Sequence, residues 1–475
     1  VAFMLRRIVS AIGCAALLSA CSGNVTPPTS SFSNPNAVLA RLHTVKPAAA
    51  SPIQHVIVVI QENRTTDNTF NGFPGADTVT KGLDANGKTV ALEPQGLEWE
   101  YDPSHSHPSL ATEYDNGKMD GFSRDKCDLD PLNLTGGCTP PKDFTYSYVP
   151  QSEVQWLWLL AGQYAAVGKG YGFADHMFSS RQVPSFPGHQ FLIAGQTPAA
   201  GDPFGPSEHG LPAIWGCDAD PRARVSEFGK TYNAPLVKGY PCYDYRTIAD
   251  LMDAKGVSWT YYTGAVGTVD GTLSAFDAAK RVRFGGDWNN VVTPMTNVLS
   301  DIQNGRLPQV SFVTPPFAAS DHGGTLAAGG PAWVMTLYVA LTENPALYSS
   351  TTMLVTWDDS GGWYDHVKPP HDTFGPLGFR VPLIAISPYA RQRVSHKTHT
   401  FGSILHYIES NWQLGSLHKA DFSSDNLSDM FDYKQTPIPP LANFGHFSRT
   451  AFERKYTPEY WQRLARDRRT IDSDE

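Results

Sequence analysis

Four side chains able to hold a hard cation stand as two adjacent pairs. Glu62-Asn63 follows the apolar run 56–60 (VIVVI), and Asp358-Asp359 follows the run 353–357 (MLVTW). Three carboxylates and one amide oxygen suit Mg²⁺, Ca²⁺, Mn²⁺ or iron rather than a thiolate-seeking ion. Two consecutive acids reach one ion only where the backbone leaves its strand and turns. Ser360-Gly361-Gly362 supplies that turn. Taken alone, Asp358 and Asp359 would pass for turn formers, one of them capping a helix. A second pair placed the same way strengthens the metal reading, and a carboxylate-held divalent cation suits phosphoryl chemistry.

A nucleophile and proton donors are also in reach. Ser185 lies in Pro184-Ser185-Phe186-Pro187, ahead of the largely apolar stretch 190–195. With Pro187 as first helical residue, Ser185 sits near a helix N-terminus, where free N–H groups favour phosphate. A serine hydroxyl beside a cation is a competent nucleophile, and Ser185 is counted as a further metal ligand. A plain helix cap is the commoner use of such a serine. His105 and His107 share one short segment, and His322 lies in Ser320-Asp321-His322-Gly323-Gly324. A protonated imidazole can donate to a phosphoryl or leaving oxygen. His105 and His322 are the favoured donors, with His107 behind them. Asp365-His366 is assigned to shaping the loop behind the two aspartates.

These residues need strands that end together. Continuous apolar runs fit parallel strands covered on both faces, and open α/β sheets collect ligands at the carboxyl ends of such strands. Strands are expected at 56–60, 257–262, 310–314, 353–357 and 381–387. Helices are expected at about 151–166, 247–256, 333–342 and 403–412, the second with Gly256 as its stop. Residues 70–148 read as loop-rich. The tail 436–475 is Pro-rich and then charged, and is expected to pack over the outside. Alternating strands and helices predict an α/β fold with a mostly parallel sheet.

The chain has 475 residues, 41% of them hydrophobic and 17% charged, with net charge −9. That suits a globular enzyme, and the scattered Lys and Arg exclude a nucleic-acid stripe. Residues 1–20 read as a signal peptide: Arg6-Arg7, an apolar run, then small residues before Cys21. A Cys in that place is similar to the lipid-modified Cys of bacterial lipoproteins, with a plain secretory peptide as the alternative. Removing the segment takes Arg6, Arg7 and no acid, so net charge falls from −9 to −11. Anionic membrane would therefore be reached through an acyl anchor rather than charge. Residues 21–51 form a Pro/Ser/Ala/Asn tether, and 52–475 a single catalytic domain. Cys127, Cys138, Cys217 and Cys242 are expected as disulfides, most simply in local pairs, as in an exported chain.

Four segments resemble a known family. Gln61-Glu62-Asn63-Arg64, Asn116-Gly117-Lys118-Met119-Asp120-Gly121-Phe122, Pro184-Ser185-Phe186-Pro187 and the run from Trp357 to Pro370 are similar to motifs of the bacterial phosphoesterase family. That family holds phospholipases C and respiratory-burst-inhibiting acid phosphatases, and the resemblance spans about residues 53–412. It implies an alkaline-phosphatase-like three-layer α/β sandwich with long loop insertions. It also implies Glu62, Asn63, Asp358 and Asp359 as metal ligands, Ser185 as nucleophile, and His322 with a histidine of the 105–107 segment as donors on the phosphate side. Thr65-Thr66 stands where Ser-Phe is usual, and Gly188 where many members carry Asn, departures that bear on packing beside Glu62 and on substrate contacts.

The expectation is a metal-dependent hydrolase of phosphoric esters working through a phosphoseryl intermediate, as an acid phosphatase or phospholipase C. It would be lipid-anchored at Cys21 in the bacterial cell envelope, periplasmic or at the cell surface, or else secreted. Its partner is a phosphoester or phospholipid, not nucleic acid. Trp156, Trp158, Tyr171 and Phe173 fit a core, with a lipid or choline contact as second use. Two other classes compete: a non-catalytic surface-binding lipoprotein, and a sulfatase, for which Cys138-Thr139-Pro140-Pro141-Lys142 lacks the required Arg.

Overall fold

The computed structural model describes residues 51–127, 138–162, 170–204, 214–325 and 328–441. The expected signal peptide and tether, and the tail beyond 441, lie outside these residues. The apolar runs become strands of one sheet: β1 (His55–Gln61), β2 (Gly172–Phe178), β3 (Trp259–Tyr262), β4 (Val291–Val292), β5 (Val310–Val313), β6 (Thr351–Trp357), β7 (Arg380–Ile386), β8 (Val394–Ser395) and β9 (His399–Thr400). Their order is β4-β3-β5-β1-β6-β7-β2-β8, and β9 also pairs with β2. Val56 to Ile60 and Met353 to Val355 are fully buried, as strands covered on both faces must be. Each such side chain contributes about 1.5–3 kcal/mol of burial.

β1 pairs in parallel with both β5 and β6. Their carboxyl ends therefore open at one edge of the sheet, and Glu62 and Asp358 leave that edge together. β7 is antiparallel to β6 and to β2, which returns β2 to the direction of β6. The sheet is thus mostly parallel with one reversed strand.

Helices are α1 (Thr66–Thr69), α2 (His107–Tyr114), α3 (Gln151–Ala161), α4 (Ser185–Ala194), α5 (Ile248–Lys255), α6 (Gly330–Thr342) and α7 (Phe401–Trp412). α3 packs on α6, while α4 packs on α5 and α7, so helices layer the sheet. α3 is shorter than expected because Gly162, at φ 118°, ends it in the left-handed region. α5 starts on a Thr247–Asp250 capping box and stops at Gly256, φ 67°, the stop its spacing predicts. The loop-rich stretch contains a helix after all, α2, begun by Ser106 as N-cap with Pro108 in its first turn.

Both local cysteine pairs form, Cys127–Cys138 and Cys217–Cys242. The bond at Cys138 removes it as a sulfatase-type nucleophile. Three of the four aromatics are core, with Trp156 partly buried against it: Trp158 donates to Thr69 O at 2.9 Å and packs on Phe70 and Phe73. Tyr171 bonds the hydroxyls of Tyr338 and Tyr348, and Phe173 stacks on Phe70 at 4.4 Å. None of Trp158, Tyr171 or Phe173 is more than 5% exposed, so none of these three can meet a lipid. Among the described residues, no helix is long and apolar enough to cross a membrane.

Candidate active site

The turn after β1 and the turn after β6 close on each other through the backbone. Glu62 N–H is fixed by Ser320 O at 2.7 Å, and Asp358 N–H by Gln61 O at 3.0 Å. Asn63 takes φ 56°, a left-handed conformation that asparagine tolerates. Its N–H donates to Asp358 Oδ1 at 3.1 Å. Gly361, at φ 61°, passes so close that a Cβ there would lie 2.5 Å from Asn63 O; only glycine fits. Its N–H holds Asp359 Oδ1 at 2.6 Å.

α4 brings the serine. The helix begins at Ser185 itself, so Pro187 is its third residue rather than its first. Ser185 does not cap the helix. Its hydroxyl turns to Asn63 Oδ1 at 3.2 Å and Asp359 Oδ2 at 3.3 Å. The expected set of free helix N–H groups shrinks, because Phe186 N–H is taken by Asp202 at 2.8 Å and Gly188 N–H by Pro184 O at 3.1 Å. Pro187 has none. Gly188 faces the turn after β6: a Cβ there would lie 2.8 Å from Asp358 O. Thr65 caps α1 and donates to Tyr364 O at 2.8 Å, which fixes the packing where the family motif differs.

Two imidazoles line the other side of Asn63. His105 and His322 have ring centroids 5.6 Å apart. The His105 Nδ1–H donates to Pro103 O at 2.9 Å and that of His322 to Gly323 O at 2.7 Å. Each ring therefore turns Nε2 inward. Asp102 stands behind His322, 3.8 Å from its Nδ1. His107 is directed elsewhere: its Nδ1 bonds Gln182 O at 2.7 Å, and its ring packs edge-on to Phe228 and Tyr232. His366 binds Asp67 at 2.6 Å and Asp77 at 3.2 Å. Beside it the buried Arg380 guanidinium joins Asp365 at 2.7 Å to Asp67 at 3.1 Å. This network braces both turns from behind, since Asp67 is in α1 and Asp365 follows the Gly361-Gly362 turn.

The donor chemistry fits a hard cation. One end of the Asn63 amide lies 3.0 Å from Asp358 Oδ1, and 3.2 Å from both Glu62 Oε2 and Ser185 Oγ; the other end lies 3.0 and 3.1 Å from the Nε2 atoms of His105 and His322. Turned with its oxygen toward the carboxylates, the amide completes an all-oxygen donor set; turned the other way, its nitrogen donates to Ser185, Asp358 and Glu62 and its oxygen accepts from both imidazoles. Asp358 Oδ2 is buried with no hydrogen-bond partner among the described residues. Burial lifts Glu62 to about 7; burial and then the Glu62 charge lift Asp358 to about 7; burial and then the Asp358 charge hold Asp359 well above the usual range. Such groups favour either protons or a cation.

One residue escaped the sequence reading. His189, one helical turn after Ser185, donates Nε2–H to Glu62 Oε1 at 2.8 Å and lies 3.7 Å from Asp358 Oδ2. Burial depresses its pKa, opposed by the nearby Asp358 charge. The i, i+4 relation to Ser185 was the available signal, because it places both on one helix face.

Comparison with known proteins places this geometry. The profile of the Phosphoesterase family matches residues 53–415, and the chain belongs to that family. It is a phosphoric ester hydrolase with an α/β fold built on a mostly parallel sheet. Phospholipase C B of Mycobacterium tuberculosis H37Rv is 23% identical over 470 residues, which cover 84% of this chain and 81% of that protein. Non-hemolytic phospholipase C of Burkholderia pseudomallei is 24% identical, covering 76% of this chain and 55% of that one. Among solved structures, an alkaline phosphatase superfamily protein from Vibrio parahaemolyticus aligns over 79% of this chain and 72% of that chain, with 12% identity and a TM-score of 0.36. Family membership sets aside the non-catalytic binding-protein alternative.

Proposed function

We propose that this enzyme cleaves phospholipid-type phosphodiesters, with Ser185 as nucleophile and a phosphoseryl intermediate. The observation that carries the reading is the Ser185 hydroxyl, held between Asn63 and Asp359 at 3.2 and 3.3 Å at the head of a buried carboxylate cluster. Glu62, Asn63, Asp358, Asp359 and the Ser185 oxygen would hold one divalent cation. When bound, it would lower the pKa of the serine hydroxyl and offset phosphate charge.

The chain's own groups supply the rest. Asp359 Oδ2 accepts the Ser185 proton as the oxygen attacks phosphorus in line. His105 and His322 present Nε2 toward the same space; in protonated form they donate to the phosphoryl and leaving oxygens. Both rings are held by backbone carbonyls, so little reorganisation is needed. His189 orients Glu62, and His107 takes no part. Water then releases the phosphoryl group from Ser185.

The phospholipase C relatives support a diester substrate, and the two disulfides support an exported enzyme. An acyl chain on Cys21 would keep it at the cell envelope. Turnover of p-nitrophenylphosphorylcholine against p-nitrophenyl phosphate, after chelation and readdition of single cations, tests the reading. The expected result is metal-restored activity with the diester preferred. Preference for the monoester would make the enzyme a phosphatase, and full activity of protein shown metal-free by elemental analysis would refute the cation's role.

A further inference from the structure

A second group of metal-binding side chains lies at the β2 edge of the sheet and shares no residue with the site above. Asp175 and His176 are adjacent on β2. His396 lies in the turn between β8 and β9, which both pair with β2. Ligating atoms of Asp175, His176 and His396 lie within 4.8 Å of one another. His396 Nδ1 is 3.0 and 2.9 Å from the two oxygens of Asp175. A fourth donor is beside them: Asp77 Oδ2 is 3.0 Å from His176 Nε2. The other Asp77 oxygen is 3.2 Å from His366 Nε2.

Basic partners are scarce here. The Arg380 guanidinium is committed to Asp365 and Asp67. It meets Asp77 and Asp175 only through their main-chain carbonyls, at 2.8 and 3.2 Å. The two carboxylates therefore face imidazoles, joined at Asp175 by the Asp77 N–H at 2.7 Å. Exposure rises from 0% at the Asp175 side chain through 22% at His176 and 44% at Asp77 to 58% at His396. An ion would thus have a buried anchor and an open path from solvent.

We infer that Asp77, Asp175, His176 and His396 form a second metal site, for a borderline-soft divalent cation of the zinc class. Two imidazoles and two carboxylates select such an ion over Mg²⁺ or Ca²⁺, which prefer oxygen alone. His366 supports it from outside, tying Asp77 to Asp67 in the manner of an outer-shell hydrogen bond. The ion would fasten three segments far apart in sequence: the loop after α1, strand β2 and the β8–β9 turn. It would sit two strand spacings from β6, about 10 Å across the sheet. Because α1 begins just after Asn63, past Arg64 and its N-cap Thr65, the same ion would brace the turn that carries the proposed catalytic ligands.

The test uses the full-length chain, stripped with chelator and dialysed against Zn²⁺, with bound metal read by elemental analysis. Four proteins are compared: wild type, His176→Ala/His396→Ala, Asp358→Asn/Asp359→Asn, and the combination. The histidine variant should lose one zinc ion per chain while keeping the ion governed by Asp358 and Asp359. The aspartate variant should show the converse, so failure at either site is read separately. Co²⁺ bound in the aspartate variant should give a visible absorption band that the combined variant lacks. Should circular dichroism show the double histidine variant misfolded, His396→Gln replaces it; a loss of about tenfold or more in zinc affinity is then expected. Unchanged zinc content in a folded histidine variant, or unchanged affinity in His396→Gln, would overturn the site and leave these pairs as hydrogen bonds alone.

Discussion

Replacing Asp358 by asparagine should stabilise the metal-free protein and weaken the metal-loaded one. Asp358 is fully buried against Glu62 and Asp359, and burial together with the Glu62 charge raises its pKa from 3.8 to about 7. A raised folded-state pKa means that its contribution is fully present below the ordinary carboxylate range. That contribution is lost as pH climbs through about 7. At 1.36 kcal/mol per pKa unit, ionising this group in the folded, cation-free protein costs roughly 4 kcal/mol at about pH 8. Asp358→Asn removes that cost, and its amide oxygen can still accept the Asn63 N–H. Urea unfolding in chelator, followed by tryptophan fluorescence, should therefore show the variant more stable by roughly 2–4 kcal/mol at about pH 8. Near pH 4 the two should agree within about 1 kcal/mol. Adding the activating cation should reverse the order, because the wild type gains about 4 kcal/mol at a thousandfold excess over Kd. The variant, one carboxylate short, gains less. A variant less stable than wild type in chelator at the higher pH would refute the reasoning, because the buried carboxylate would then be satisfied without a cation.

Two further outcomes test the surroundings of the site. Arg380→Met should cost about 3–5 kcal/mol in urea unfolding, because it strands the buried Asp67 and Asp365 carboxylates; a loss below about 1 kcal/mol would show that the network does not brace the turns. Cys21→Ser should move the protein from the membrane fraction to the soluble fraction, and a variant that still sediments with membranes would point to another anchor.

How much of this was legible from sequence depended on the range of the interactions involved. β1 and β6 announce themselves as unbroken apolar runs, and α5 by its cap and glycine stop, because local residues decide them. Strand β2 does not, since Asp175 and His176 interrupt its apolar pattern and are accommodated only by partners far away in sequence. The same holds for the reversed direction of β7 and for Arg380, whose burial makes sense only once Asp67 and Asp365 are beside it. The convergence of Glu62, Asn63, Asp358 and Asp359 was readable from strand-end position, and the turn glycines from their spacing. The sequence ranked His105 ahead of His107 without a geometric ground for it. The choice rests on which carbonyl each Nδ1 meets, Pro103 O or Gln182 O, and so on how the segment enters α2.

The covalent role of Ser185 is the centre of the account, and rapid acid quench during turnover, followed by peptide mass mapping, tests it most directly. With p-nitrophenyl phosphate the peptide carrying Ser185 should gain a phosphoryl group, and with p-nitrophenylphosphorylcholine a phosphocholine group. Ser185→Ala should show neither label nor turnover while still binding the cation through Glu62, Asn63, Asp358 and Asp359. An unlabelled Ser185 peptide, together with near-normal turnover by Ser185→Ala, would contradict the serine mechanism.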